Sequence, residues 1–245
     1  MARSVSYDAV RAALAAQWSL LIEAFARSDA RAPSRVPNWS VADLERHLAQ
    51  TGESLGRLAT SEPVAGPVTG LREWAAALPG LSNQVAQLVA LEPGPPLVVM
   101  APRTLAALAA ADPKQPVRQL TGIHRLGDAS LFRLVEAVVH GLDLPEPLEP
   151  DRQARRIVVR ALTDLLALVN PGRSVEFRVP PDAAVQLIEG PRHTRGTPAG
   201  VVETDPVTFL HLATGRMTWN EALLAGRVRA SGNRTDLSQC LPLLR

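Results

Sequence analysis

Residues 128–143 read DASLFRLVEAVVHGLD, and the predicted fold and chemistry of this chain both start from this stretch. Read as a helix, it places Glu136 and His140 at positions i and i+4, on one face and about one turn apart. The side chains around them are mostly apolar, which predicts a helix in the interior of a bundle. A carboxylate and an imidazole at this spacing can bind one metal ion, although a structural core pair can have the same spacing. A third ligand is needed to decide between a metal site and a structural core pair.

A second helix offers that third ligand. In PNWSVADLERHLAQ, residues 37–50, Ser40 is placed as the N-cap, and Asp43 three residues later approximates a capping box. Trp39 precedes the cap, where an apolar side chain can staple the first turn. His47 then falls on the apolar face of this helix. A histidine there is consistent with a hydrogen-bonded core residue and with a metal ligand.

If His47, Glu136 and His140 converge, they form a metal site with two imidazoles, one carboxylate and an open fourth position. This pattern is typical of catalytic zinc, and iron or nickel would accept the same ligands. A bound divalent ion lowers the pKa of a coordinated water or thiol. Asp143 follows His140 by three residues, so it is either an outer partner of the site, a proton carrier or a solvated carboxylate at the helix end.

Composition narrows the classes of function. The chain has 245 residues, a net charge of +2 and a pI near 9.3, and Lys114 is its only lysine. The arginines are scattered, which argues against a nucleic-acid partner. Cys240 is the only cysteine, so no intramolecular disulfide forms, as is typical of a reducing cytoplasm. The first ten residues lack the apolar core of a signal peptide and no run approaches a membrane span, so we expect a cytoplasmic protein without a membrane partner, as a monomer or homodimer.

Proline punctuation predicts two domains. Residues 144–150, LPEPLEP, cannot continue a helix, so we place a metal-binding helical bundle at 1–148 and an α+β domain at 149–245. The predicted helices span 7–27, from 40 onward, 68–90, 103–110, 128–143, 151–169, 205–215, 218–225 and 234–241. The predicted strands span 175–179, 184–188, 200–202 and 227–230. Residues 97–100 are expected to be extended, and His124 is expected at the surface of a loop.

The two motifs together resemble a known family. PNWSVADLERHLA and LVEAVVHGLDL look like the metal-binding signature of the mycothiol-dependent maleylpyruvate isomerase family. His47 matches the histidine of its W-[ST]-V-x-D-x-x-x-H-L element. Glu136, His140 and Asp143 match its E-x-x-x-H-x-x-D element. TDPVTFLHLATGRMTW and AGRVRASGNRTDL resemble the C-terminal domain of the same family, so the likeness spans almost the whole chain.

This resemblance implies a fold and a cofactor. The fold class is α plus α+β: an N-terminal DinB-like up-down four-helix bundle, followed by a smaller sterol-carrier-like α/β domain. The cofactors implied are a divalent metal, most simply zinc, and mycothiol bound to it as a thiolate. In the isomerase, the thiolate adds to the cis double bond of maleylpyruvate, the single bond rotates, and the thiolate leaves to give fumarylpyruvate. A basic residue of the second domain would hold the substrate carboxylates, and we choose Arg229 over Arg227 for this role.

Several alternatives remain open on the sequence. Gly141 and Leu142 follow His140 where the family often has a bulky or basic residue, so the substrate is in doubt. The enzyme is then either an isomerase or a thiol S-transferase acting on a small electrophile. A non-catalytic protein that binds a small molecule or lipid is the alternative, with the LHLATG helix and residues 217–219 lining a cavity. The same fold with a degenerate site is a third possibility.

Overall fold

The computed structural model describes residues 5–91, 94–190 and 200–244. The chain divides into two compact units, Met1–Arg155 and Arg156–Arg245. The first is helical and the second is an α/β unit, so the predicted fold class is confirmed. The predicted boundary between residues 148 and 149 stays a prediction.

In its described residues, the first unit contains six α-helices and a hairpin. Its elements are α1 (Tyr7–Arg27), α2 (Val41–Ala59), α3 (Leu71–Ala77), α4 (Ser82–Leu91), α5 (Leu97–Ala110), β1 (Pro116–Gln119), β2 (Gly122–Arg125) and α6 (Leu126–Gly141). Helices α1, α2, α5 and α6 pack on one another as a four-helix bundle. Each turns an apolar stripe toward a common core, and the predicted helix at 128–143 is confirmed as α6, two residues earlier at its start.

The bundle contains a crossover. Helices α2 and α5 run in the same direction, because Gly52 faces Met100 and Gly56 faces Thr104. Helices α1 and α6 are also parallel to each other. The segment between α2 and α5, which includes α3 and α4, therefore returns the chain to the end of the bundle where α2 began. The expected up-down alternation is thus interrupted between α2 and α5. The two glycines allow α2 and α5 to approach closely.

The expectation that no segment could span a membrane needs a correction at helix α1. On length and composition alone it is apolar enough to cross a membrane, contrary to the expectation that no segment approaches that limit. A helix buried in a bundle meets the same test. Leu14, Trp18 and Leu21 of α1 are almost completely buried within the bundle. The apolar character of α1 therefore has a packing explanation.

Two other helix predictions were wrong in extent. The helix predicted at 68–90 is two helices separated by the 3₁₀ turn Leu78–Gly80, because Pro79 has no N–H to continue the first. The extended piece predicted at 97–100 is the first turn of α5. Pro102 lies inside α5 and has no N–H to donate to the carbonyl one turn earlier. Because Pro102 is exposed, that carbonyl lies near solvent.

The surface loop predicted around His124 is also wrong. β1 and β2 form an antiparallel hairpin, and His124 on β2 is fully buried. Its ring nitrogens contact the Thr69 carbonyl (3.0 Å) and the Thr121 hydroxyl (2.9 Å). The ring also packs edge-on against Phe132 of α6. His124 is therefore a structural histidine whose polar atoms are satisfied.

The described part of the second unit forms a sheet of four strands. Its elements are α7 (Arg152–Val169, which begins in the first unit), β3 (Val175–Val179), β4 (Ala183–Leu187), β5 (Gly200–Thr204), α8 (Pro206–Ala213), α9 (Trp219–Leu224) and β6 (Val228–Gly232). The strand order is β4-β3-β5-β6. β3 and β5 are parallel and the other two pairs are antiparallel. Alternate residues of β3 are buried, as expected for a sheet with one packed face.

Helix α8 packs in the core of this unit. Phe209, Leu210 and Leu212 are buried, and the Phe209 ring lies 5.3 Å from that of Phe177. Core packing thus explains the apolar LHLATG stretch. The helix predicted at 234–241 is absent from the described residues, where the segment forms turns. The Asp236 carboxylate accepts from the Ser238 amide, a local bond that competes with a helical turn.

Candidate metal centre

The N-terminus of α2 sets the position of His47. The predicted capping box is confirmed: the Ser40 hydroxyl accepts from the Asp43 amide (3.2 Å), and the Asp43 carboxylate accepts from the Ser40 amide (2.9 Å). This start fixes the register of the helix, so that Leu44, His47 and Leu48 share its buried face. His47 is 7 % exposed. The predicted placement of His47 on the inner stripe is therefore confirmed.

His47 and His140 face each other across α2 and α6. Their ring centroids are 5.1 Å apart and their planes are nearly perpendicular, at 87°. The Trp39 ring lies 5.3 Å from His47 and 6.4 Å from His140, where it is stacked at an interplanar angle of 26°. Trp39 thus contacts both imidazoles and shields one side of the pair. The structure brings together two of the three predicted ligands.

Asp143 orients the second of these rings. His140 Nδ1 lies 2.8 Å from Asp143 Oδ2, and the Asp143 side chain is almost fully buried. An ionised carboxylate only accepts hydrogen bonds, so His140 Nδ1 donates to Asp143, and in the neutral ring the lone pair is then on Nε2. The Arg35 amide donates to the Asp143 carbonyl (2.8 Å), which ties this end of α6 to the loop before α2. This is the arrangement of a metal-ligating histidine with an outer carboxylate.

Glu136 contacts an arginine that the sequence analysis did not single out. Arg133 Nη1 lies 2.8 Å from Glu136 Oε2, and the two side chains are 13 % and 15 % exposed. Neither Arg133 Nε nor Glu136 Oε2 has a hydrogen-bond partner within the described residues, so the contact is an ion pair without hydrogen-bond geometry. Helical spacing could have identified Arg133, because it lies three residues before Glu136 on the same face.

The electrostatics of the site keep His47 neutral. Burial lowers the pKa of His47 well below its ordinary value, and the nearby His140 and the Arg133 charge lower it further. A neutral imidazole has the lone pair that a metal ion requires. His47 is therefore in the protonation state of a ligand at neutral pH.

The donor set fits a divalent ion in its chemistry. Two imidazoles lie side by side, one of them bonded through Nδ1 to Asp143, and a largely buried carboxylate lies one turn before His140. Among residues 5–91, 94–190 and 200–244, however, no three His, Cys, Asp or Glu side chains are arranged so that they could hold an ion. Glu136 is turned toward Arg133 instead. Its place in the ligand set stays a prediction.

Arg229 lies in the second unit, on β6. It is exposed and pairs in register with Glu203 of β5, on the face of the sheet opposite the buried Val202. Arg227 precedes the strand and is also exposed, and its carbonyl accepts from the Thr204 hydroxyl. The register separates the two arginines: one belongs to the sheet and the other to the turn before it. A substrate-binding role for either stays a prediction.

Comparisons with known proteins cover both units. Residues 11–145 match the family described as mycothiol maleylpyruvate isomerase N-terminal domain, and residues 151–243 match that described as bacterial SCP ortholog. The fold is similar to two crystal structures of the mycothiol-dependent maleylpyruvate isomerase, one of them a histidine-to-alanine mutant. Both share 14 % identity with this chain and cover 93 % of each chain, with TM-scores of 0.60 and 0.61 for the unsubstituted protein and the mutant. No curated protein sequence matches the chain.

Proposed function

Because this chain belongs to the mycothiol maleylpyruvate isomerase N-terminal domain family, we propose that it is a metal-dependent enzyme that uses mycothiol as a low-molecular-weight thiol. Its reaction is cis–trans isomerisation of a small unsaturated acid or transfer of the thiol sulfur to a small electrophile. The observation that carries this proposal is the pair of facing rings of His47 and His140, with Asp143 bonded behind His140. Apolar packing between two helices does not require such a pair.

His47, Glu136 and His140 would hold the ion, which we take to be zinc. When bound, the ion supplies positive charge that favours the thiolate over the thiol near neutral pH. Asp143 accepts from Nδ1 of His140, so that Nε2 would be the nitrogen available to the ion. Trp39 shields one side of the imidazole pair and limits the access of water from that side.

The two candidate reactions differ in the fate of the thiol. When bound, mycothiol would supply a nucleophilic sulfur. An isomerase would regain this thiol unchanged after each turnover, whereas a transferase would leave the sulfur on the product in exchange for a leaving group. Arg229 is our candidate for binding a substrate carboxylate, because it is exposed on an edge strand.

Metal content tests the basis of this proposal. The wild-type protein, purified without chelators, is compared with His47→Ala and His140→Ala by elemental analysis. We expect about one ion per wild-type chain and a loss of most of it in both variants. His211→Ala is the matched control, because His211 lies on α8 of the other unit. Equal metal content in all four proteins would remove the imidazole pair from any metal site.

Thiol consumption then separates the two reactions. Free mycothiol is titrated during turnover with maleylpyruvate and with a panel of electrophiles. An isomerase returns the thiol unchanged, whereas a transferase consumes one thiol for each product. Metal binding without any thiol-dependent turnover would instead support the non-catalytic alternative.

A further inference from the structure

Arg133 is a charged residue of the candidate centre to which neither motif assigns a role. Residues 133, 136, 140 and 143 follow one another at intervals of three and four, so all four lie along one face of α6 and its C-terminal end. Arg133 contacts Glu136 at the N-terminal end of this row, and Asp143 contacts His140 at the other. The positive charge of Arg133 also helps, after burial and His140, to lower the pKa of His47 on α2.

The environment of Arg133 differs from that of the surface arginines. Arg27 and Arg57 each form an ion pair with a glutamate four residues earlier, and both arginine side chains are 69 % exposed. Arg133 is 13 % exposed, and its Nε has no hydrogen-bond partner within the described parts of the chain. A guanidinium is costly to desolvate, and a single carboxylate at 2.8 Å leaves part of its donor capacity unused. A largely buried cation whose Nε has no partner within the described residues can bind a further anion.

The sum of the charges at the candidate centre indicates what a bound anion would neutralise. Two carboxylates lie at the centre, those of Glu136 and Asp143, and together they would neutralise a divalent ion. Arg133 then adds one positive charge in a partly desolvated place. A neutral fourth ligand leaves this charge uncompensated, whereas a monovalent anion balances it.

We propose that Arg133 makes the metal centre select an anionic fourth ligand, such as a thiolate, over a neutral one. This inference rests on the proposed function, because it concerns the ligand set of the same ion. Arg133 is a specificity-determining residue in this scheme and leaves the identity of the ion unchanged. A purely structural role, in which Arg133 only holds Glu136 in place, predicts equal effects on anionic and neutral ligands.

Ligand titrations of the cobalt-loaded protein test the proposal. Co²⁺ has visible absorption bands that change when its fourth ligand changes. Thiocyanate serves as the monovalent anion and imidazole as the neutral ligand, and the dissociation constants of both are measured for wild type, Arg133→Gln, Arg133→Lys and Arg57→Gln. Arg57→Gln removes the same charge and the same type of ion pair at an exposed position.

For Arg133→Gln we expect thiocyanate to bind roughly tenfold more weakly while imidazole binding changes by less than about twofold. Arg133→Lys keeps the charge and should retain most of the thiocyanate affinity. Arg57→Gln should match wild type for both ligands. Equal losses for thiocyanate and imidazole, or no loss for either, would overturn the proposal.

Arg133→Met covers the case in which Arg133→Gln does not load cobalt, because it keeps the length of the apolar stem without the charge. If both neutral variants fail to load cobalt while Arg133→Lys loads it, Arg133 serves to hold the ligand set and the anion role is wrong. A wild-type protein that binds no cobalt would contradict the proposed function together with this inference. Cobalt binding with unchanged ligand preference would contradict the inference alone.

Discussion

Asp143 Oδ2 lies 2.8 Å from His140 Nδ1, in a position where its side chain is almost completely removed from solvent. This contact determines which nitrogen of His140 is available to a ligand. The sequence allowed Asp143 to be an outer partner of the site, a proton carrier or a solvated helix-end carboxylate. Its burial is not that of a solvated carboxylate. The outer-partner role stays a prediction, and its consequence for metal affinity can be measured.

Asp143→Asn is expected to weaken metal binding about 10- to 100-fold, because an amide can donate to Nδ1 and move the His140 proton to Nε2. Competition with a chromophoric chelator measures the affinity. Asp8→Asn, which alters an exposed ion pair on α1, should keep the wild-type affinity. Wild-type affinity in Asp143→Asn would show that the contact is not required for binding.

Trp39 should report on the occupancy of the centre. Its ring contacts both His47 and His140, so a paramagnetic ion such as Co²⁺ bound there should quench its fluorescence. Trp39→Phe keeps an aromatic ring and should lose most of the cobalt-dependent change in emission. Trp219→Phe in the second unit serves as the control and should retain that change. Quenching that persists in Trp39→Phe would place the ion elsewhere.

Ser40→Ala should reduce both the stability of the protein and the dependence of that stability on acid. Hydrogen bonds from the Ser40 hydroxyl and amide lower the pKa of Asp43. The carboxylate therefore contributes stability that is present above its unfolded pKa of about 4 and is lost as the pH falls through its lower folded pKa. Ser40→Ala should lower the free energy of unfolding by about 1 kcal/mol at pH 7. As the pH falls below 4, the variant should lose less of this free energy than wild type does.

Urea unfolding of the metal-free protein, at pH 7 and again below pH 4, measures the effect of Ser40→Ala. Ser61→Ala is the control, because its exposed hydroxyl donates to a backbone carbonyl and caps no helix N-terminus. Parallel loss of stability in acid for wild type and Ser40→Ala would contradict the assignment of this acid sensitivity to the capping box.

Gly56→Ala should destabilise the contact between α2 and α5 by about 1–3 kcal/mol. An added Cβ would lie 2.7 Å from Thr104 Oγ1, and that hydroxyl is held by its hydrogen bond to the Gly52 carbonyl. Gly80→Ala is the matched control, since an added Cβ there meets no atom within 4 Å. The free energy of unfolding, measured in urea, shows whether Gly56→Ala is less stable than Gly80→Ala. If the two variants are equally stable, α2 and α5 have room to separate.

Arg229→Ala should lower kcat/KM for a carboxylate substrate by roughly 10- to 100-fold, the effect of losing one charge-assisted hydrogen bond. Metal content should not change, because the residue lies in the second unit. Arg227→Ala, on the turn before β6, is the comparison and should have a smaller effect. The reverse order of the two effects would transfer the carboxylate-binding role to Arg227.

Local signals explain what could be predicted from the sequence. The capping box at Ser40 and Asp43 requires only four consecutive residues, and it placed His47 on the buried face correctly. The apolar period of residues 128–143 likewise identified α6. These features depend on contacts within one helix. Helices α2 and α6 each bury an apolar face in the same core, and for this reason His47 and His140 lie opposite each other.

Contacts between distant segments explain what the sequence did not reveal. His124 looks like a loop residue between glycines, and its burial depends on Thr69, which lies far away in the chain. Residues 97–100 were expected to be extended, but they belong to α5, whose buried face outweighs the one backbone bond that Pro102 cannot make at an exposed position. Arg133 was overlooked because an arginine on a helix is usually solvated, and only the packed structure shows that this one is not.

The facing of His47 and His140 has a consequence for how the protein folds. The two histidines are far apart in the sequence and belong to helices joined through the crossover, so neither the isolated α2 segment nor the isolated α6 segment contains the pair. An ion bound by both histidines would act as a cross-link that exists only in the folded bundle, and linkage would then raise the melting temperature with metal concentration. Metal supply would thus set the stability of the folded bundle as well as its chemistry.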